Sequence, residues 1–230
     1  MKRFYERASV RAEADGFLVT LDERAVRTPR RHRLVVESEA LAEAVAAEWQ
    51  DQHEIVKPET MPINRLVTTK LDLMPERRQA AVEQLVDYGR SDLLCHRAEA
   101  PAELATEQAA RWQPPLDWLA AAHGVRLVTT TGVMPLAQPD DTIERLGAVV
   151  EALDDWTLVG VHGLTTAAGS VVLGLMVAAA ATSAAEATRT VLVDELHQRR
   201  HWGDDEEALE REARLTADVA AAARYLACLR

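Results

Sequence analysis

Aromatic residues and cysteines are scarce in this 230-residue sequence. Phe, Trp and Tyr make up only 4% of the chain, which argues against an all-β sandwich because strands favour aromatic and β-branched side chains. The two cysteines, Cys95 and Cys228, form neither a CxxC motif nor a metal-ligand spacing. We therefore expect two free thiols in a reducing compartment. The hydrophobic fraction of 48%, rich in alanine, favours a globular and mostly helical fold.

Basic residues are also fewer than acidic ones. The chain has 26 Lys and Arg residues against 37 Asp and Glu residues, so its formal net charge is −11. Such an acidic chain repels phosphate backbones, and we expect no nucleic-acid partner. The arginine-rich run from Arg24 to Arg33 is interpreted as a solvated hairpin edge.

A long segment without charged residues separates Asp155 from Glu186. Small and polar residues interrupt it, so its continuous apolar part covers only about residues 171–181, short of the roughly 20 that a bilayer requires. We expect a buried core helix there and no membrane insertion. Because the N-terminus has no apolar signal region, the sequence is expected to be a bacterial cytoplasmic protein or an already processed one.

The first third of the chain has the pattern of short antiparallel strands. A half-buried strand is expected with Phe17, Val19 and Leu21 alternating with Leu18, Thr20 and Asp22, between turn signals at Asp15-Gly16 and Asp22-Glu23. A helix is expected after Ser38, an N-cap residue, with Trp49 as its large structural anchor against the sheet.

The remainder has the pattern of helices. The sequence thus predicts a mostly helical α+β protein, in which a small domain of strands and a helix (1–76) precedes a larger all-helical domain (77–230).

Three local predictions follow for the second part. Pro114-Pro115 should stop a helix that begins at Ala102, and a short helix should follow it. The β-rich residues 125–131 should be a strand or an extended crossing. The capping box of Ser183 and Glu186 should start a single helix that runs to about His201.

Two groups of side chains could carry chemistry. His197 and His201 have the i, i+4 spacing of metal ligands, but the glutamate of an HExxH motif is missing. His162 and Ser170 could form a hydrolase triad with Asp154 or Asp155, but no G-x-S-x-G elbow surrounds the serine. We expect no catalytic residue, metal or cofactor, and a small metal-dependent or serine hydrolase is the alternative.

An acidic helix with a tryptophan at its end forms an unusual cluster near the C-terminus. The residues are Asp194, Glu195, Gln198, Trp202 and Asp204. The tryptophan either packs a corner between helices or belongs to a protein-binding surface, since Trp is enriched at interface hot spots and acids steer partners.

Several short motifs, taken in order, resemble one protein family nearly end to end. They include Lys2-Arg3-Phe4-Tyr5, Val26-Arg27-Thr28-Pro29, Ala47-Glu48-Trp49, Thr60-Met61-Pro62, Ser91-Asp92-Leu93-Leu94-Cys95, Gln138-Pro139, Asp194-Glu195 and Trp202-Gly203. The family is that of the assembly chaperones of F-type ATP synthase, which hold the free alpha subunit of the catalytic head.

The resemblance implies a monomeric chaperone without enzymatic activity. It would prevent aggregation of the alpha subunit until the beta subunit replaces it, in the bacterial cytoplasm or, for eukaryotic members, in the mitochondrial matrix. The family's functionally important acidic helix corresponds to Asp194 and Glu195, so the five residues of the acidic cluster are the expected partner-binding residues. Two departures from the family pattern are Glu23, where Gly is usual, and the pair His197 and His201.

Overall fold

The computed structural model describes residues 2–132 and 137–230. The strands are β1 (Ala8–Glu13), β2 (Gly16–Leu21), β3 (Arg24–Ala25), β4 (Val35–Val36), β5 (His96–Arg97) and β6 (Thr130–Thr131). The helices are α1 (Glu39–Gln50), α2 (Pro62–Asp72), α3 (Met74–Arg90), α4 (Ala102–His123), α5 (Asp140–Glu151), α6 (Asp155–Ala168), α7 (Val171–Ala178), α8 (Ala184–Val191), α9 (Val193–Trp202) and α10 (Glu206–Ala227). The predicted class, a mostly helical α+β fold, is confirmed.

A small antiparallel sheet begins the chain. Strand β2 pairs with β1 along one edge and with β3 and β4 along the other. Asp22 and Glu23 both have positive φ, 47° and 68°, the geometry of a two-residue hairpin turn. The Asp22 carboxylate accepts hydrogen bonds from the backbone N–H groups of Glu6 and Arg7, which holds the turn without the usual glycine.

Helix α1 covers the sheet, as expected. The Ser38 hydroxyl accepts a hydrogen bond from the Leu41 N–H and caps the helix. Trp49 is half-buried, and its indole N–H donates to Asn64 Oδ1 at 3.0 Å. The Tyr5 hydroxyl donates to the Trp49 carbonyl at 2.6 Å. Trp49 therefore links α1 both to the N-terminal segment and to α2.

The centre of the helical part is formed by α6 and α7. The predicted core segment is confirmed, but it is two helices, because Gly169 ends α6 with a φ of 67° and Ser170 caps α7. Seven of the eight residues of α7, Val171 to Val177, are buried. Among the described residues, no helix has both the length and the apolar character needed to cross a membrane.

Helix α4 does not stop at Pro114-Pro115, so that prediction is wrong. Trp112, Leu116 and Leu119 lie on one buried face of α4, which packs against α7 and α9. An interior proline costs a helix about 3 kcal/mol. Burying each of these large side chains returns about 1.5–3 kcal/mol, so tertiary packing across the proline pair keeps the helix continuous.

The single helix expected from Ser183 to about His201 is also wrong, because the chain turns at Leu192 between α8 and α9. Val191, Leu192 and Val193 are all buried. The Leu192 N–H still bonds the Thr188 carbonyl, and the new helix starts at Val193, so the chain changes direction without exposing any of the three.

Two other expectations need a smaller adjustment. Within residues 125–131 only Thr130–Thr131 forms a strand, which pairs in parallel with β5. The Gln138 side chain instead bonds both the N–H and the carbonyl of Val128, at 2.8 and 2.9 Å. The expected boundary between residues 76 and 77 falls within α3, and the separation into two domains stays a prediction.

Candidate protein-binding site

Helix α9 presents the acidic cluster that the sequence singles out. Its buried residues, Val193 and His197, face the protein interior, and the helix packs against α4. Gly203 ends the helix with a φ of 85°. Asp205 then caps α10 by accepting a hydrogen bond from the Ala208 N–H at 3.2 Å. The sharp connection brings the end of α9 next to the first turns of α10.

The two adjacent acids of α9 point in different directions. Asp194 is half-buried, and its Oδ1 accepts a hydrogen bond of 2.6 Å from the side-chain amide of Gln108 on α4. Gln108 is fully buried, and its own carbonyl oxygen accepts from the Ala98 N–H at 2.7 Å. Asp194 therefore belongs to the contact between α4 and α9.

Glu195 lies on the outer side and lines a cleft between α9 and α10. The cleft has a volume of about 230 Å³, and its other walls include Gln198, Trp202, Asp204 and Leu209. Burial, together with the nearby charges of Asp194 and Glu212, raises the pKa of the Glu195 carboxyl. Four of the five expected partner-binding residues thus meet in one cleft, and Asp194 stands apart from them.

Trp202 is the most unusual residue of this cleft. Its side chain is 80% exposed, although it is the largest apolar side chain a protein has. Leu209, on the facing helix, is also exposed. The structure therefore does not use Trp202 to pack a corner between helices, and an exposed apolar pair rimmed by charge is typical of an interaction surface.

Charged groups organise the rim of the cleft. Arg199 donates to Glu212 at 2.8 Å and lies 3.8 Å from Asp204, so one guanidinium links α9 to α10 and to the short loop between them. Ion pairs this exposed contribute little stability, about 0–1 kcal/mol each. Their role here is to fix where the acids of the rim lie.

The histidine pair adjoins the cleft on the α4 side. The rings of His197 and His201 stack with a centroid distance of 4.3 Å, and each lies 3.9 Å from a glutamate of α4, Glu107 and Glu103 respectively. In the part of the chain that the structure describes, no group of three or more His, Cys, Asp or Glu side chains could hold a metal ion.

The side chains of the alternative hydrolase triad have other partners. Ser170 is buried, and its hydroxyl donates to Asp92 at 3.0 Å. His162 shares a hydrogen bond of 2.9 Å with Gln84. Asp154 caps α6 through the N–H groups of Trp156 and Thr157. These arrangements do not favour a hydrolase.

Comparison with known proteins decides the family. Residues 2–120 match the family described as ATP12 chaperone protein. The chain belongs to the ATP12 chaperone family. Members of this family are chaperones in the assembly of ATP synthase, which implies a protein partner.

Solved structures agree with this assignment over the whole chain. The crystal structure of Atp12 from Paracoccus denitrificans is 36% identical, with a TM-score of 0.92, and the match covers 100% of this chain and 98% of that one. Atu1473 from Agrobacterium tumefaciens is also 36% identical, with a TM-score of 0.93, over 100% of this chain and 86% of that one. The match to the Paracoccus denitrificans structure therefore extends over α9 and α10, which lie beyond the residues of the family match.

Sequence reasoning missed the residues of α4 that support the site. Gln108 holds Asp194, and Glu107 forms an ion pair with Arg200. These partners are 86 and 93 residues apart in the chain, and no local pattern marks them. The i, i+4 rule could not have found them because it applies within one helix.

Proposed function

We propose that this ATP12-family protein binds the unassembled alpha subunit of the ATP synthase catalytic head and prevents its aggregation. An unassembled subunit exposes apolar surface that would otherwise be buried against its neighbours, and such surface aggregates. The chaperone covers that surface until the beta subunit replaces it. It acts as a monomer without enzymatic activity, in the bacterial cytoplasm where the head is assembled.

The observation that carries this proposal is the exposure of Trp202 in the cleft between α9 and α10. Buried aromatic anchors dominate the energy of protein interfaces, and Trp is the residue most enriched among them. Trp202 would insert its indole into the client, and Leu209 would extend the apolar contact. Glu195, Gln198 and Asp204 would form the polar rim that orients it.

Release follows from competition. The beta subunit and the chaperone would cover overlapping surface on the alpha subunit, so the one with the higher affinity remains. A moderate affinity is therefore required, and a small cleft with one aromatic anchor is suited to it.

The test is co-expression of the alpha subunit, without the beta subunit, together with this chain. We expect the alpha subunit to stay in the supernatant of the lysate and to co-purify with the chaperone. Trp202→Ala serves as the matched variant, and it should return most of the alpha subunit to the pellet. Equal aggregation with and without the wild-type chain would contradict the proposal.

A further inference from the structure

A second surface, on the opposite stretch of α10, is also shaped to receive a partner. It is a groove of about 350 Å³ between α2, α3 and α6, whose apolar floor includes Leu66, Ala81, Val159 and Gly163. A neighbouring depression of about 300 Å³ shares Leu66 and Gly163 and extends to α10. The two depressions adjoin at these residues and are together called the α2–α6 groove.

Gly163 determines the depth of this groove. A Cβ atom at this position would lie 3.1 Å from Leu66 Cδ2, which is tighter than an ordinary van der Waals contact. The absence of a side chain therefore lets α6 approach α2 closely while the floor stays open to solvent.

The rim of the groove carries positive charge, although the chain as a whole has a net charge of −11. Arg65 and Arg77 line the groove and are exposed. Asp218 of α10 also lines the groove, 3.6 Å from Arg65, and an exposed pair of this kind contributes little. For Arg77, no carboxylate lies within the 4.0 Å of an ion pair among residues 2–132 and 137–230.

We infer that the α2–α6 groove binds a short amphipathic helix of the client protein, with apolar side chains on the floor and carboxylates paired with Arg65 and Arg77. This inference rests on the proposed function for its client. Helix-in-groove binding uses apolar anchors at helical spacing on one face of the ligand. The two exposed arginines, of which Arg65 has only a long contact with Asp218, favour a ligand of the opposite sign.

The groove and the acidic cleft can act on one client. Leu209 lines the cleft and Ala221 lines the groove, both on α10. Their twelve-residue separation corresponds to about 18 Å along the helix axis, less than the width of a small domain. One folded client could therefore contact the acidic cleft with basic residues and the α2–α6 groove with an acidic helix.

Charge reversal on the rim tests this inference. The double variant Arg65→Glu/Arg77→Glu should bind the alpha subunit with at least about tenfold lower affinity, which corresponds to about 1.4 kcal/mol, and should therefore recover less of it in co-purification. The matched control is Arg90→Glu/Arg214→Glu, which makes the same charge change at two exposed helical positions outside the groove. The control should behave as wild type, and equal recovery by both double variants would overturn the inference.

Photo-crosslinking locates the ligand. A benzoylphenylalanine at Ala80, an exposed residue of the groove wall, should crosslink to a client segment with acidic residues at helical spacing. The same group at Glu144, exposed on α5, is the control and should give a much weaker crosslink. A crosslinked segment without carboxylates would overturn the inference.

A synthetic peptide separates this inference from the proposed function. The probe is a fluorescein-labelled helical peptide of about 18 residues, with Leu on one face and Glu on the other. The control peptide has Lys in place of each Glu. The wild-type protein should bind the Glu peptide at least about tenfold more tightly by anisotropy, and Arg65→Glu/Arg77→Glu should remove that preference. If the wild-type protein prefers the Glu peptide but does not hold the alpha subunit, the proposed function is contradicted. If it binds both peptides equally, the inference about the groove is contradicted.

Discussion

The side-chain amide of Gln108 donates a hydrogen bond of 2.6 Å to the carboxylate of Asp194. This contact gives the two neighbouring acids of α9 different roles, since Glu195 faces the cleft instead. Asp194→Ala would leave the buried amide of Gln108 without its acceptor, and such a loss costs about 1–3 kcal/mol. We expect the free energy of unfolding to fall by that amount in urea denaturation. A stability equal to wild type would show that Asp194 is not structural.

Glu195→Lys should reduce capture of the client and leave the stability nearly unchanged. Glu195 lines the cleft at the surface, and within residues 2–132 and 137–230 no other helix donates a hydrogen bond to its carboxylate, so the free energy of unfolding should change by no more than about 0.5 kcal/mol. Capture of the alpha subunit should fall because the cleft loses one negative charge and gains a positive one. Gel filtration of co-expressed protein measures the capture, and a collapse of the melting temperature would instead mark Glu195 as structural.

Trp202→Ala should weaken client binding without weakening the fold. An indole that is 80% exposed contributes little to the core, whereas truncation of an interface hot spot costs 2 kcal/mol or more, about thirtyfold in affinity. Phe4→Ala is a matched control, because Phe4 is also a large exposed aromatic and lies outside the cleft. If both variants reduced capture equally, Trp202 would not be the anchor.

A pair of glycine substitutions tests the packing of α6 against α10. A Cβ at Gly160 would lie 2.5 Å from Leu226 Cδ2 and 2.9 Å from Tyr225 Cδ1, so Gly160→Ala should destabilise the protein by about 1–3 kcal/mol. At Gly147 of α5 the nearest atom would be 3.8 Å away. Gly147→Ala should therefore be stabilising, by up to about 1 kcal/mol, from helix propensity alone. Thermal denaturation of the two variants measures the contrast, and similar effects would contradict the close approach of α6 and α10.

Asp92 makes the stability depend on pH. Burial raises the pKa of this carboxyl to about 6, while it accepts hydrogen bonds from Ser170 and from the N–H groups of Leu94 and Val172. A raised pKa means that the folded protein holds the proton more tightly than the unfolded chain. The contribution of Asp92 to stability is therefore greatest below about pH 4 and falls as the pH rises to about 6.

Urea denaturation between pH 4 and 7 measures that dependence. The unfolding free energy of the wild type, relative to that of Asp92→Asn, should fall by on the order of 2–3 kcal/mol as the pH rises through this window. It should then be constant above about pH 6.5. A difference that is independent of pH would show that Asp92 does not titrate there.

The sequence predicted those parts of the fold that local signals determine. Ser38 and Ser183 mark helix starts through their own side chains, and the structure has both in those roles. Pro114-Pro115 is also a local signal, but the buried face formed by Trp112 and Leu116 overrides it. Packing partners far apart in the chain decide such cases, and one sequence does not contain them.

The candidate site was predictable only in part. The unusual combination of acids with Trp202 drew attention to the helix, and the family resemblance implied that the helix is functionally important. Only the structure shows that Asp194 turns towards Gln108 and that the cleft is completed by Leu209 of α10. The turn at Leu192 sets these directions, and no glycine or proline marks it in the sequence.

The most direct measurement of the central claim is gel filtration of the purified chaperone with the alpha subunit, before and after addition of the beta subunit. We expect the chaperone and the alpha subunit to elute together, and the beta subunit then to displace the chaperone into a separate peak. Elution of the chaperone alone in the first run, with the alpha subunit aggregated in the void volume, would contradict the claim.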